Sequence, residues 1–319
     1  MKLVPLAAAA ALGSIALAAC YRDRAPDGVT GARTEEGRAA AAATASSDAL
    51  AFLPVDAELV LGVDVRQVVG SPLWKQFESQ IMGRIGPRLG EIRAACGYEP
   101  LDALRSVTIG VKLAEPFDGV IVVRGLPRDK TLACIGRALP SRPGITVERG
   151  VVTIPGDGPN EPPAVMAFAG ATTLVLTTSR PKLDAALMSG APLRGSRAFT
   201  ELWGLVNARD AIWGVVNGAA RAFDALASFG VRPRAVLGSA SLANGLSMTG
   251  RMRLGTPDEA TQLAALGQSQ IGSVQSMAEK VEVGADGTDV TLRVDMTTAQ
   301  VDTITRMMLS MAGSMFGGP

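Results

Sequence analysis

The sequence predicts an α+β fold, a mostly antiparallel sheet with helices packed on one face. Three observations carry that expectation. From Leu50 onward, short apolar runs of strand character alternate with segments whose apolar residues recur at helical spacing. Two hairpin turn signals, Asn244-Gly245 and Asp286-Gly287, join neighbouring runs in the second half. The order of elements also recurs, which suggests a β-α-β-β-α-β-β-α module written twice, over about 130–140 residues each time.

The elements follow in order. Glu58–Val65 reads as a strand. Ser71-Pro72 then opens a helix whose apolar residues fall at 73, 74, 77, 81, 85, 89 and 92. Ser106–Leu113 and Gly119–Arg124 form a hairpin, and Arg128–Leu139 a helix. Ile145–Glu148, Val151–Ile154, Ala164–Phe168 and Thr172–Thr177 read as short strands. Lys182–Met188 and Phe199–Val206 read as helices. The second copy then begins at Ala211–Val216, with a helix over Arg221–Phe229 and strands Ala235–Leu242 and Gly245–Leu254. A helix from Pro257, strands Lys280–Val283 and Asp289–Asp295, and a helix from Thr298 complete it. The modules are expected at 50–190 and 191–319.

The beginning of the chain has a different character. Met1-Lys2 precedes an apolar stretch from Leu3 to Ala19, too short for an ordinary membrane span of ~20 residues and typical of a secretory signal. It ends in Leu17-Ala18-Ala19-Cys20, which resembles the lipobox of bacterial lipoproteins. That resemblance implies cleavage between Ala19 and Cys20 and acylation of Cys20. Two or three acyl chains meet the multiple-anchor condition for stable membrane attachment. Tyr21, in place of an Asp that would resemble an inner-membrane retention signal, directs the expectation to the outer membrane, with the domain facing the periplasm or the cell surface. Residues 21–49 hold Val29 as their one large aliphatic, so 20–49 reads as a lipidated cysteine followed by a disordered tether spanning ~30 Å. The folded part loosely resembles lipoproteins built from duplicated α+β modules.

Composition narrows the function classes. The chain has 319 residues, Lys+Arg 31 against Asp+Glu 30, and no histidine. Loss of Lys2 with the signal leaves the two signs equal, which argues against electrostatic binding to nucleic acid. Without histidine there is no Ser-His-Asp or Cys-His catalysis and no imidazole zinc site. No phosphate-loop or dinucleotide glycine signature is present, and no cofactor is expected.

Four candidate chemistries remain. Cys96 and Cys134, the two cysteines left once Cys20 is acylated, are expected to form a disulfide in an oxidising envelope, with two buried thiols as the alternative. Ser179-Arg180-Pro181-Lys182 matches a Ser-x-x-Lys nucleophile motif but lacks its companion motifs, and reads as a strand-to-helix turn capped by Ser179. Met307, Met308, Met311 and Met315, with Ile304, share a helical face; soft-metal binding is weighed there against core packing, and core packing is favoured. Asp286 and Asp289 flank a hairpin and supply too few oxygens for calcium. No catalytic or metal-binding residue is therefore expected. The expected function is a non-catalytic, membrane-anchored envelope lipoprotein that binds or scaffolds another envelope protein or component. The alternatives are a carrier or sensor of an apolar, lipid-like ligand in a sheet-helix cleft and, third, a histidine-independent enzyme.

Overall fold

The computed structural model describes residues 49–112, 118–138, 144–148, 150–156, 163–177, 193–218, 223 and 230–316. The signal, the lipobox, the tether up to residue 48, Ser179–Lys182, the Lys182–Met188 helix and all but Phe223 of the Arg221–Phe229 helix lie outside the described residues.

The fold is α+β, as the alternating pattern implies. Its strands are β1 Leu59–Asp64, β2 Ser106–Lys112, β3 Asp118–Arg124, β4 Thr146–Glu148, β5 Val151–Ile154, β6 Ala164–Phe168, β7 Thr173–Thr177, β8 Ile212–Asn217, β9 Ala235–Ser241, β10 Leu246–Arg253, β11 Lys280–Asp286 and β12 Asp289–Met296. The helices are α1 Val65–Gly70, α2 Pro72–Cys96, α3 Pro100–Ala103, α4 Arg128–Ala138, α5 Arg197–Trp203, α6 Pro257–Val274 and α7 Thr298–Phe316. Local chemistry sets the helix starts. Ser71 Oγ accepts from the Trp74 amide ahead of Pro72, and Thr256 Oγ1 accepts from the Glu259 amide ahead of Pro257. Gly245 and Gly287, both at positive φ, turn the two hairpins anticipated in the second half. Among the described residues no helix is long and apolar enough to cross a membrane.

All the strands join one sheet in the order β11-β12-β10-β9-β8-β1-β2-β3-β7-β6-β5-β4, with every neighbouring pair antiparallel. The two halves meet at β1 and β8. There Leu61 pairs with Gly214, and Gly62 with Trp213, so each strand sets its glycine opposite the other's large side chain. From that seam each half runs outward through three consecutive strands. The strand lying beside the third one arrives only after a helix and a meander: β7 beside β3, and β12 beside β10. The first half carries two strands more, β4 and β5, at its outer edge.

Side-chain alternation builds two cores, one per face. Val60, Val120, Val122, Val175, Trp213 and Val215 belong to one cluster, while Val107, Ile121, Leu174 and Leu176 belong to the other. The second cluster is closed by α2 and α4 through Trp74, Leu89 and residues beside them. The first cluster is closed by Leu50 and Leu53 ahead of β1, by Leu193 and by Phe199 and Leu202 of α5. The expectation of helices on one face therefore needs correction, since α5 packs on the opposite face from α2 and α4. The reason lies in the central strands: β3 is apolar at consecutive positions Val120 to Val123, and so requires cover on both sides.

Candidate functional site

The face shared with α5 changes character in the second half of the sheet. On β10, polar Ser247, Thr249, Arg251 and Arg253 alternate with Met248, Gly250 and Met252. On β12, Asp289, Thr291, Arg293 and Asp295 alternate with Val290, Leu292 and Val294. The register sets these two polar series directly opposite one another: Ser247 with Asp295, Thr249 with Arg293, Arg251 with Thr291 and Arg253 with Asp289. Edge strand β11 continues the same rows with Lys280, Glu282 and Asp286, and β9 adds Ser239 and Ser241. The result is a four-stranded polar surface that continues the sheet alongside α5.

Its charges are matched across the strands. Arg253 donates from Nε and Nη2 to the two Asp289 oxygens at 2.8 and 3.1 Å. Arg251 Nη1 donates to Asp286 at 2.9 Å and stands 3.6 Å from Asp289. The hydrogen bonds from Arg253, aided by its charge and that of Arg251 and opposed by partial burial, hold the Asp289 carboxyl below the usual carboxylate range. Asp295 accepts from Ser247 Oγ at 2.5 Å and from Arg293 Nε at 2.9 Å, and its carboxyl is likewise held low, chiefly by the Ser247 bond. Lys280 Nζ reaches Glu282 at 2.8 Å. Ser239 Oγ donates at 2.6 Å to Asp210, in the loop after α5.

Two hollows indent this surface. One, of about 480 Å³, lies at the β9–β10 turn and includes Asn244, Ser247, Lys280 and Asp295. The other, of about 300 Å³, is bounded by the half-exposed Leu205, with Ser239, Thr249 and Arg293 beneath it. A third depression, of about 550 Å³, lies where β8 ends and β9 begins, between the segment ahead of β1 and α5. Chemically, Asp289 and Asp295 are acceptors already engaged by guanidinium and hydroxyl donors. A serine hydroxyl donating to such a group gains orientation, but no strong base. The surface is equipped to form hydrogen bonds in ordered rows. Among the described residues no group of three or more Cys, Asp or Glu is arranged to hold a metal ion.

No family model, curated protein or solved structure matches the chain. The site therefore rests on its own geometry.

Of the residues singled out from sequence, Ala19 and Cys20 lie outside the described residues. Cys96 and Cys134 are brought together and bonded, with Cα atoms 4.4 Å apart. The bond ties the end of α2 to α4, beside the Tyr98–Thr131 hydroxyl pair at 2.7 Å and the Arg137 Nε donation to Ala95 O. Burial raises the Tyr98 phenol above its ordinary value, and the Thr131 hydrogen bond opposes that rise. Asp286 and Asp289, weighed as metal ligands, instead face Arg251 and Arg253. Met307, on the face expected to pack into the core, is 52% exposed. The other three methionines have no described side chains. Sequence reasoning missed the polar surface, although its signal was present: β10 and β12 both alternate polar and apolar residues over eight positions.

Proposed function

We propose that this chain is a lipid-anchored protein of the cell envelope, attached through Cys20 and non-catalytic, whose folded part binds or scaffolds another envelope component. The observation that carries the reading is Leu17-Ala18-Ala19-Cys20 at the close of a short apolar run. The Cys96–Cys134 bond supports it, because such bonds persist in oxidising compartments. Tyr21 supports the outer membrane as the destination. The polar surface of β9 to β12 is the face offered to a partner. Its matched charges favour a hydrogen-bonding protein surface over attraction to a polyanion.

The folded part is further read as two copies of one module, 50–190 and 191–319. Support comes from the seam, where exchanging β1 with β8 exchanges the pair Leu61:Gly214 with Trp213:Gly62. The matching order of strands outward from that seam gives a second line of support. The first copy then carries β4–β5 as an added hairpin.

Replacing Cys20 with Ser tests the anchor. Palmitate labelling should be lost and the protein should move from the membrane to the soluble envelope fraction. Unchanged labelling and fractionation would refute the reading. Charge reversal at Arg293, on the proposed partner face, should remove envelope cross-links while leaving thermal stability nearly unchanged.

A further inference from the structure

We propose that the outer edge of β11 pairs with the same edge of a second copy of this chain, antiparallel and centred on Val283, so that one sheet runs through a two-fold dimer. Nothing in this pairing depends on the anchor at Cys20.

The direction of the backbone groups sets what the edge offers. β11 ends the sheet, with β12 on its inner side. The two-residue turn at Gly287-Thr288 closes on the Asp286–Asp289 pair, which in such a hairpin is a hydrogen-bonded pair. Alternation then directs the backbone groups of Lys280, Glu282 and Gly284 towards β12, and those of Val281, Val283 and Ala285 outward. Gln268 of α6 agrees with that direction, since its Nε2 donates at 3.0 Å to Val283 O. Among the described residues these outward groups meet no other partner.

The side chains select the partner. With Val283 opposite its own copy, Lys280 faces the partner's Asp286 at both ends of the pair, and Glu282 faces the partner's Gly284. Moving the centre to Glu282 sets that carboxylate against itself, and moving it to Gly284 sets it against Asp286; like charges directly opposite are destabilising. The side chains of Lys280, Glu282 and Asp286 are 47%, 55% and 67% exposed, so their heads are free to meet across the edge. On the other face, half-buried Val281 and Val283 and exposed Ala285 lose their remaining contact with water.

Helix α6 leaves room for its copy. Gly267 faces Val283, and the flank beside it, on the side of the edge, carries Gln268 together with exposed Thr261, Ala265 and Gly272. Strands ~4.8 Å apart bring the two α6 helices to roughly 10 Å, an approach that small side chains permit. The polar surface of β9 to β12 stays open, and the dimer sets two such surfaces side by side.

The test is sedimentation equilibrium of the purified full chain in density-matched detergent, with oxidative cross-linking of mixed Lys280→Cys and Asp286→Cys chains. A reversible dimer is expected, and peptide mass spectrometry should find a 280–286 disulfide between chains, because that pair falls in the closely spaced class at ~4.5 Å between Cα atoms. Ala285→Pro removes an outward N–H and leaves the bonds to β12 in place, a position where edge strands tolerate proline. It should weaken dimerisation at least roughly 10-fold. Ala265→Arg, at an exposed position on the α6 flank, should weaken it similarly by crowding the two helices, and decides the matter if the proline variant does not fold. The melting temperature of each variant is the control for folding. A monomer at every concentration, a dimer that both variants leave intact, or cross-links without the 280–286 bond would each overturn the proposal. Failure of membrane release in Cys20→Ser would leave it untouched.

Discussion

The indole of Trp213 lies directly over Gly62, its cross-strand partner at the seam of the sheet, and occupies the space that any side chain at position 62 would need. Trp213 is itself 1% exposed and meets the Trp203 ring edge-on at a centroid distance of 4.4 Å. Gly62→Ala should therefore destabilise the fold by about 1–3 kcal/mol through overpacking. Urea denaturation measures the loss, and a Trp213→Leu background should reduce it, because the two residues compete for one volume.

The bond between Cys96 and Cys134 closes a loop of moderate length, with the cysteines 38 positions apart. Cys134→Ser should lower stability by about 4 kcal/mol in the chain-entropy account. Denaturation midpoints of wild type with and without reductant should differ in the same direction, and reduction should add the mass of two hydrogens. An unchanged mass would mean that two thiols are present.

Asp289 has its side chain 5% exposed and holds Arg253 through two hydrogen bonds. Asp289→Asn should cost about 1.5–3 kcal/mol at neutral pH. The pH dependence has a definite sign. The folded carboxyl is held below its unfolded value of ~3.9, so its contribution is complete above that value and is lost as pH falls through the lower, folded one. The stability gap between wild type and variant should accordingly close in acid, which denaturation at neutral and acidic pH would reveal.

Ser106 presents the opposite case. Its hydroxyl is buried and has no hydrogen-bond partner among the described residues. Ser106→Ala should be neutral or stabilising, by up to about 1–3 kcal/mol, since it removes an unsatisfied buried group. A large loss in thermal stability would contradict this account.

Much of the local structure was legible in the sequence. The helix expected to open at Ser71-Pro72 is present as Pro72–Cys96, and the hairpins at Gly245 and Gly287 are present where Asn-Gly and Asp-Gly place them. Boundaries slipped where two local signals overlapped. The helix expected over Phe199–Val206 instead runs Arg197–Trp203, because Ser196 caps it two residues earlier and Gly204 ends it. Helix α1 went unseen, since Val65 continues the apolar pattern of β1 while Asp64 already caps the next turn through the Gln67 amide. The strand from Lys280 extends to Asp286 because Gly284, a weak strand former, is held by pairing with Thr291. The seam itself was illegible. Pairing β1 with β8 depends on contacts between residues some 150 positions apart, and no local propensity reports them.

That seam also sets the order in which the molecule can be completed. β2 lies about 45 positions from its partner residues in β1, but the other edge of β1 waits for Ile212–Asn217. A nascent chain emerging from its N-terminus must carry an unsatisfied strand edge while the intervening residues are made. Closing that edge late is slow by topology and exposes the chain to wrong partners. Fragments that end before residue 212 inherit the same open edge permanently. They are expected to self-associate through β1, which makes the middle of the chain, rather than its ends, the point at which synthesis can least tolerate interruption.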